Sequence, residues 1–279
     1  MSALPSALPP DRQETPGDVL LDAGERNAIG VLGGLGPYAG LDLVRALFDE
    51  TDARADQEHL PVALLSYPGR IPDRSTWIAD GSAPSPVGPM LDVLRRLGAA
   101  GCSVAGVPCN TAHAPALFEA LRAGLEASGH ALRLVHIVDA IVAEIEASHA
   151  GVRRVGVLAT DSSVQNRLHQ IGLERSGRAA LVPDAAVQAR VQASIFDPVW
   201  GLKALSAPPD PRARAALLAG VEHLVAAGAD AVILGCTELP LAVPERAYAG
   251  VPLVNSTRAL ARALIAASHP GKLRTAGGG

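Results

Sequence analysis

The sequence predicts an α/β protein of two similar Rossmann-like domains, each with a parallel four-stranded sheet, related by pseudo-two-fold symmetry. Three observations predict it. Apolar runs of strand length alternate with amphipathic helical patterns along the 279 residues, as they do where helices cover both faces of a parallel sheet. Ala100-Gly101 leads through an apolar run to Cys109-Asn110-Thr111, and Ala227-Gly228 leads through another to Cys236-Thr237-Glu238, the cysteines standing 127 residues apart. Ile29-Gly30-Val31-Leu32 returns as Val155-Gly156-Val157-Leu158, 126 residues on. Two short matches at nearly one offset indicate a duplication.

The elements follow in order. Strands are expected at 28–32, 62–66, 104–107 and 132–137 in the first half, each a short apolar run bounded by turn residues. Their counterparts in the second half are 155–158, 179–182, 231–234 and 252–254. Helical periodicity occupies 39–51, 87–99, 114–127, 139–148, 162–176 and 211–227. A last helical stretch, 256–267, comes after the second half has used its strands and is expected to pack back on the first. The expected domains are therefore 27–138 with 256–270, and 139–255. Residues 1–26 and 271–279 are read as disordered tails.

Composition narrows the function. Apolar residues make up 48% of the chain and aromatics only 3%, so the core must be built from Ala, Val, Leu and Ile. With 24 basic and 28 acidic residues there is no electrostatic argument for nucleic acid or an anionic membrane. No apolar run approaches the length of a membrane span. Residues 1–26 are rich in Pro, Asp and Glu and lack the basic start and apolar stretch of a signal peptide. Three cysteines without an export signal suit a reducing cytoplasm.

Ligands of open parallel sheets collect beyond the carboxyl ends of the strands. Cys109, Cys236, the 33–36 glycine loop and Thr160 all lie just past such ends. A thiol at a strand-to-helix turn meets free N–H groups and the positive end of the helix dipole, which stabilise thiolate. The small polar neighbours Asn110, Thr111 and Thr237 can bond a substrate carboxylate or cap the helix. A single buried cysteine is usually a small core residue. Two at the same point of a repeat are not so easily explained. Opposed across a cleft, they suit a reaction that takes a proton from one face of a carbon and returns one to the other. Cys102 has Ala229 as its counterpart and is read as core filler.

Gly34-Leu35-Gly36-Pro37-Tyr38-Ala39 also matches the relaxed dinucleotide fingerprint. Against that reading, Pro37 removes an N–H that would face the pyrophosphate, and the second strand ends in Ser66-Tyr67 with no acid for a ribose. It also leaves the paired cysteines unexplained. Gly34 and Gly36 are read instead as letting the backbone approach a small carboxylate.

Six segments together resemble the cofactor-independent aspartate/glutamate racemases: Gly33-Gly34-Leu35-Gly36-Pro37, Asp56-Gln57-Glu58-His59, Ile71-Pro72-Asp73-Arg74, Pro108-Cys109-Asn110-Thr111-Ala112-His113, Leu158-Ala159-Thr160 and Gly235-Cys236-Thr237-Glu238. The resemblance spans residues 28–265. It implies an active site between the two domains, a homodimer, and no pyridoxal phosphate or metal. Cys109 and Cys236 would be the paired acid and base, one thiolate when the other is thiol. Arg74 and Lys203 would take the substrate's side-chain carboxylate, a bidentate task that suits guanidinium. Thr160 resembles a substrate-contacting threonine, although Asp161-Ser162-Ser163 replaces the family's Thr-Gly-Thr-like continuation. Glu238 would orient the substrate ammonium or tune Cys236, or be an acid in a helix's first turn. His113 would influence Cys109 or bond locally. The 56–59 segment is assigned to a loop or dimer contact.

The chain is thus read as a cytoplasmic amino-acid racemase acting on a small acidic substrate without cofactor. The alternatives are a hydantoin or glutamate racemase, a maleate isomerase or malonate decarboxylase in the same fold, a dinucleotide-dependent oxidoreductase, and a non-catalytic thiol sensor.

Overall fold

The computed structural model describes residues 27–81, 83–129 and 131–275. The tail expected at 1–26 lies outside them. The first half runs β1 (Ala28–Gly33), α1 (Pro37–Asp49), β2 (Val62–Ser66), α2 (Arg74–Asp80), α3 (Val87–Ala99), β3 (Cys102–Gly106), α4 (Pro115–Ala127) and β4 (Arg133–Leu134). Helix α5 (Ile137–Ser148) leads into the second half. There follow β5 (Arg154–Leu158), α6 (Asp161–Gln165), α7 (Leu168–Arg175), β6 (Ala179–Leu181), α8 (Ala185–Phe196), α9 (Pro211–Ala226), β7 (Ala231–Leu234), α10 (Leu239–Ala242), β8 (Ala247–Tyr248), β9 (Val251–Asn255) and α11 (Ser256–Ser268).

The first sheet is parallel with order β2-β1-β3-β4, and the second repeats that order as β6-β5-β7-β9. The second sheet also carries a fifth strand, since β8 pairs antiparallel with the edge of β9. That two-residue strand corrects the expectation of four strands per half. Its sequence, Ala247-Tyr248, is too short to show a period.

The repeated glycines have matching physical causes. Gly101 and Gly228 close the ends of α3 and α9 at φ of 86° and 92°, a left-handed conformation that glycine adopts without a Cβ penalty. At Gly30 an added Cβ would stand 3.2 Å from Leu97 of α3; at Gly156 it would stand 3.0 Å from Leu224 of α9. Each half thus lowers one helix leucine onto its first strand.

Strand β1 alternates between two cores. Ile29 and Val31 join a cluster shared with Ile141 and Ile145 of α5, Val155 and Val157 of β5, and Leu260 and Leu264 of α11. Ala28 and Leu32 face α3 and α4 instead, while Leu158 of β5 faces α8 and α9. Helix α11 packs on α1 and α5 and lays Leu264 and Leu260 over Gly106 of β3. The shared middle layer fixes how the two sheets, and so their carboxyl ends, meet.

Three local differences from the sequence reading have simple reasons. The strand expected over 132–137 ends at Leu134, because Ile137 N donates to His113 Nδ1 and starts α5 two residues early. Cys102 opens β3 rather than preceding it and is buried there. Residues 271–275, expected as tail, are tied down, since Leu273 pairs with Thr51 and Arg274 N donates to Glu50 O.

Candidate active site

In each half the chain leaves its first and third strands at the topological switch point, where connections diverge to opposite sides of the sheet. The loops after β3, β5 and β7 meet there with the segment at the start of α2 and the one after α8, and the β1 loop borders them through the Leu35 carbonyl. The cleft between them is lined by Asp73, Arg74, Cys109, Asn110, Thr111, Thr160, Lys203, Cys236, Thr237 and Glu238, among others. It encloses only about 10 Å³, room for roughly one water molecule.

Cys109 follows Pro108 in extended conformation, its N–H donating to Val107 O at 2.8 Å. A single 3-10 turn over Asn110–His113 comes next, and α4 begins only at Pro115. Cys236 likewise precedes a helix of one turn, α10. The helix-dipole argument from sequence is therefore corrected: no long helix starts at either thiol, and neighbouring charges set their surroundings.

Those charges form a relay. Arg74, at the start of α2 behind the Asp73 N-cap, is only 7% exposed. Its Nη2 donates to Leu35 O at 2.5 Å and lies 3.9 Å from Cys109 Sγ. Lys203 Nζ reaches the same Leu35 carbonyl at 3.5 Å and Glu238 Oε1 at 3.2 Å. Cys236 Sγ then donates to Glu238 Oε2 at 2.9 Å. Burial, reinforced by the Glu238 charge, pushes the Cys236 thiol well above its ordinary value, with Lys203 opposing. Burial would lower the Lys203 ammonium, but Glu238 and the two cysteines raise it overall, so it stays charged. Arg74 Nε is buried without a hydrogen-bond partner among the described residues. A buried guanidinium N–H without a partner is costly.

The other expected residues divide. Thr111 and Thr160 line the cleft. Thr160 Oγ1 also caps α6 by accepting from Ser163 N at 3.3 Å, and Ser163 joins the lining. Thr237 and Asn110 are both engaged: Thr237 Oγ1 donates across the halves to Pro108 O at 3.0 Å, and Asn110 Nδ2 donates to Ser256 Oγ at the start of α11 at 3.3 Å. Gly34 and Gly36 do not reach the inner cleft but line an outer pocket with Lys203, Ser206 and Glu238. Gly34, at φ 88°, turns against the Tyr67-Pro68 backbone. The open side of Gly36 is filled by the Glu238 carboxylate, so this glycine admits an anion of the protein itself. His113 is fully buried, with Nε2 donating to Val107 O at 3.0 Å and Nδ1 accepting from Ile137 N at 3.2 Å. Burial pushes it down to about 3, so it is a neutral structural residue. Sequence reasoning missed Asp73, Ser75, Ser163, Phe196 and Gly235 in the lining. Asp73, Ser75 and Gly235 adjoin Arg74 and Cys236 in sequence, whereas Ser163 and Phe196 are brought there by the fold.

No cluster of His, Cys, Asp and Glu suited to a metal ion occurs among the described residues, and no described helix is long and apolar enough to cross a membrane.

Fold and site together define a duplicated α/β protein that places a thiol from each half in one charged, buried cleft. The chain belongs to the family described as Asp/Glu/Hydantoin racemase, whose profile matches residues 32–264. An aspartate racemase of Picrophilus torridus superposes with a TM-score of 0.72 at 26% identity, covering 89% of this chain and 96% of that one. A glutamate racemase of Roseiflexus sp. (strain RS-1) is 32% identical over 197 residues, 70% of this chain and 61% of that enzyme. A Francisella tularensis glutamate racemase solved with D-glutamate shares the fold, with a TM-score of 0.59 at 16% identity over 91% of this chain and 85% of that one.

Proposed function

We propose that this protein is a cofactor-independent racemase of a small acidic amino acid, with Cys109 and Cys236 as the acid and base at the α-carbon. The observation that carries the reading is the convergence of two cysteines, from equivalent points of a duplicated fold, on a cleft that also holds Arg74 and Lys203. Two cations suit a substrate with two carboxylates, and the unpartnered Arg74 Nε is free to bond one of them.

The charges favour one resting arrangement. Cys236 is held as the thiol by its bond to Glu238, and Cys109 stands beside Arg74 Nη2 in position to act as the base. Cys109 then removes the α-proton of one enantiomer while Cys236 delivers its proton to the opposite face. Negative charge developing at the α-carbon and its carboxylate is stabilised by the fixed cations and N–H groups of the cleft. After turnover Cys236 is thiolate, with Lys203 offsetting the repulsion from Glu238, and Cys109 is thiol; the starting state returns when the opposite enantiomer reacts in reverse or when the two sulfurs exchange protons with water. The Glu238 carboxylate filling Gly36 stands where a dinucleotide reading would need a pyrophosphate, which weighs against the oxidoreductase alternative.

The cleft's small volume implies that the halves part to admit substrate, entry passing the Lys203–Glu238 pair that lines both the inner and outer pockets. A homodimer is proposed as well, supported by Tyr38, Leu41 and Phe48 exposed on α1 at 45%, 56% and 38%. Three free thiols fit a reducing compartment such as the cytoplasm. The test is deuterium incorporation at the α-carbon from D2O across L- and D-amino acids, with no cofactor added. Exchange and racemisation of aspartate or glutamate are expected; no exchange into any amino acid ends the reading.

A further inference from the structure

His169 lies outside the cleft lining, and no step of the proposed mechanism uses it. It is 1% exposed, near the start of α7 in the second half, yet it touches both cysteine loops. Its Nε2 lies 3.0 Å from Oδ1 of Asn110, the residue after Cys109. A carbonyl oxygen can only accept, so Nε2 carries the proton and donates. Its ring also packs on Gly235, the residue before Cys236: a Cβ there would stand 2.9 Å from His169 Cε1 and 3.0 Å from Nε2. Burial, with His136 adding to it, lowers this imidazole to about 4, so it is neutral and a single-proton donor near pH 7.

We infer that His169 is a positioning residue that sets the spacing of the two thiols, by tying Asn110 through its Nε2–H and bearing on Gly235 with its ring. The inference rests on the two cysteines being the reacting pair. Asn110 is held from two sides, by His169 at Oδ1 and by Ser256 at Nδ2. Its backbone follows Cys109 directly, so the bond constrains where that sulfur stands. In a two-base reaction both sulfurs must address one carbon from opposite faces. A displacement of about 1 Å in such an arrangement costs on the order of a hundredfold in rate.

The test compares two substitutions. His169→Phe keeps a ring against Gly235 but removes the donor. His169→Gln keeps an N–H of similar reach. The phenylalanine variant is expected to lower kcat about tenfold or more for both enantiomers with KM nearly unchanged, and the glutamine variant to recover most of that loss. Site-resolved alkylation of Cys109 by iodoacetamide, read by mass spectrometry, is expected to quicken in the phenylalanine variant and stay near wild type in the glutamine variant. Alkylation needs no turnover. If wild type exchanged no α-hydrogen, the racemase reading would fall while the tie was still being measured. Gly235→Ala approaches from the other loop: by displacing the ring it should alter alkylation of Cys109, although the change is beside Cys236. A phenylalanine variant with wild-type kcat and alkylation overturns the inference. Equal impairment of the phenylalanine and glutamine variants assigns His169 to packing alone, and an unmoved Cys109 in Gly235→Ala removes the tie between the loops.

Discussion

Cys236 Sγ and Glu238 Oε2 lie 2.9 Å apart, and the geometry makes the thiol the donor and the carboxylate the acceptor. A carboxylate that accepts from a thiol stabilises the protonated sulfur and opposes the thiolate. Burial acts in the same direction and is the larger cause. In the proposed mechanism Cys236 therefore begins the cycle as the acid. Racemisation has an equilibrium constant of one, so kcat/KM must be equal for the two enantiomers. The asymmetry can appear only in the separate kcat and KM values.

Glu238→Gln should shift the alkylation midpoint of Cys236 downward. The sign follows from the causes: in the native protein the thiol is raised above its ordinary 9.0, so reaction with iodoacetamide should climb only as the pH passes well beyond 9. Removing the carboxylate charge removes one raising influence and leaves burial in place. Each unit of downward shift means about tenfold more thiolate at a given pH below the midpoint. An unmoved profile would mean that burial alone governs this sulfur.

Arg74→Ala should reduce turnover of acidic amino acids by about a hundredfold relative to any neutral one, the cost of losing a bidentate charge-assisted pair. Arg74→Lys should recover only part of this, because an ammonium carries the charge without the planar fork. Competition assays with aspartate, glutamate and alanine measure the ratio. A preserved acidic preference in Arg74→Ala would assign carboxylate recognition elsewhere.

Gly36→Ala should impair the enzyme far more than Gly88→Ala. The first would place a Cβ against Glu238 Oε1 and push the carboxylate from Lys203; the second meets nothing within 4 Å. Gly88 lies in the first turn of α3, where alanine should raise stability by less than the roughly 0.5–1 kcal/mol of a helix interior. Steady-state kinetics and thermal unfolding of the two variants separate the effects. Wild-type kinetics for Gly36→Ala would show that the carboxylate can be displaced freely.

What the sequence made legible was local or repeated. Gly30 with Gly156, and Gly101 with Gly228, keep their spacing because each half solves the same packing and capping problem, and the cysteines travel with them. What stayed hidden depends on contacts between residues far apart in the chain. Thr237 reads as a substrate ligand beside Cys236, but its hydroxyl is engaged by Pro108 O, 129 residues away. His169 looks like an ordinary helix residue until Asn110 and Gly235 are brought to it. The sequence marks Gly36 as a place where a small carboxylate can approach the backbone, and in the structure the Glu238 carboxylate, more than 200 residues later, fills that space. No periodicity or local spacing encodes such partners.

Replacing the two cysteines one at a time tests the division of labour between them. In the proposed mechanism each sulfur addresses one side of the substrate carbon, so each would abstract the α-hydrogen of only one enantiomer. Serine is a far weaker acid and base near neutral pH, and either Cys109→Ser or Cys236→Ser should abolish net racemisation. The surviving thiol can still take a proton from its own side and return one from solvent. In D2O, each single variant should therefore wash deuterium into one enantiomer without inverting it, and the two variants should choose opposite enantiomers. Exchange should be the more robust in Cys236→Ser, because Cys109 keeps Arg74 as its counter-cation, whereas Cys236 must ionise against burial and Glu238. The double variant should exchange neither. Proton NMR of the α-hydrogen and chiral chromatography of the same samples read exchange and inversion separately. Single variants that still racemise near the wild-type rate without any cofactor would rule out the paired-thiol mechanism.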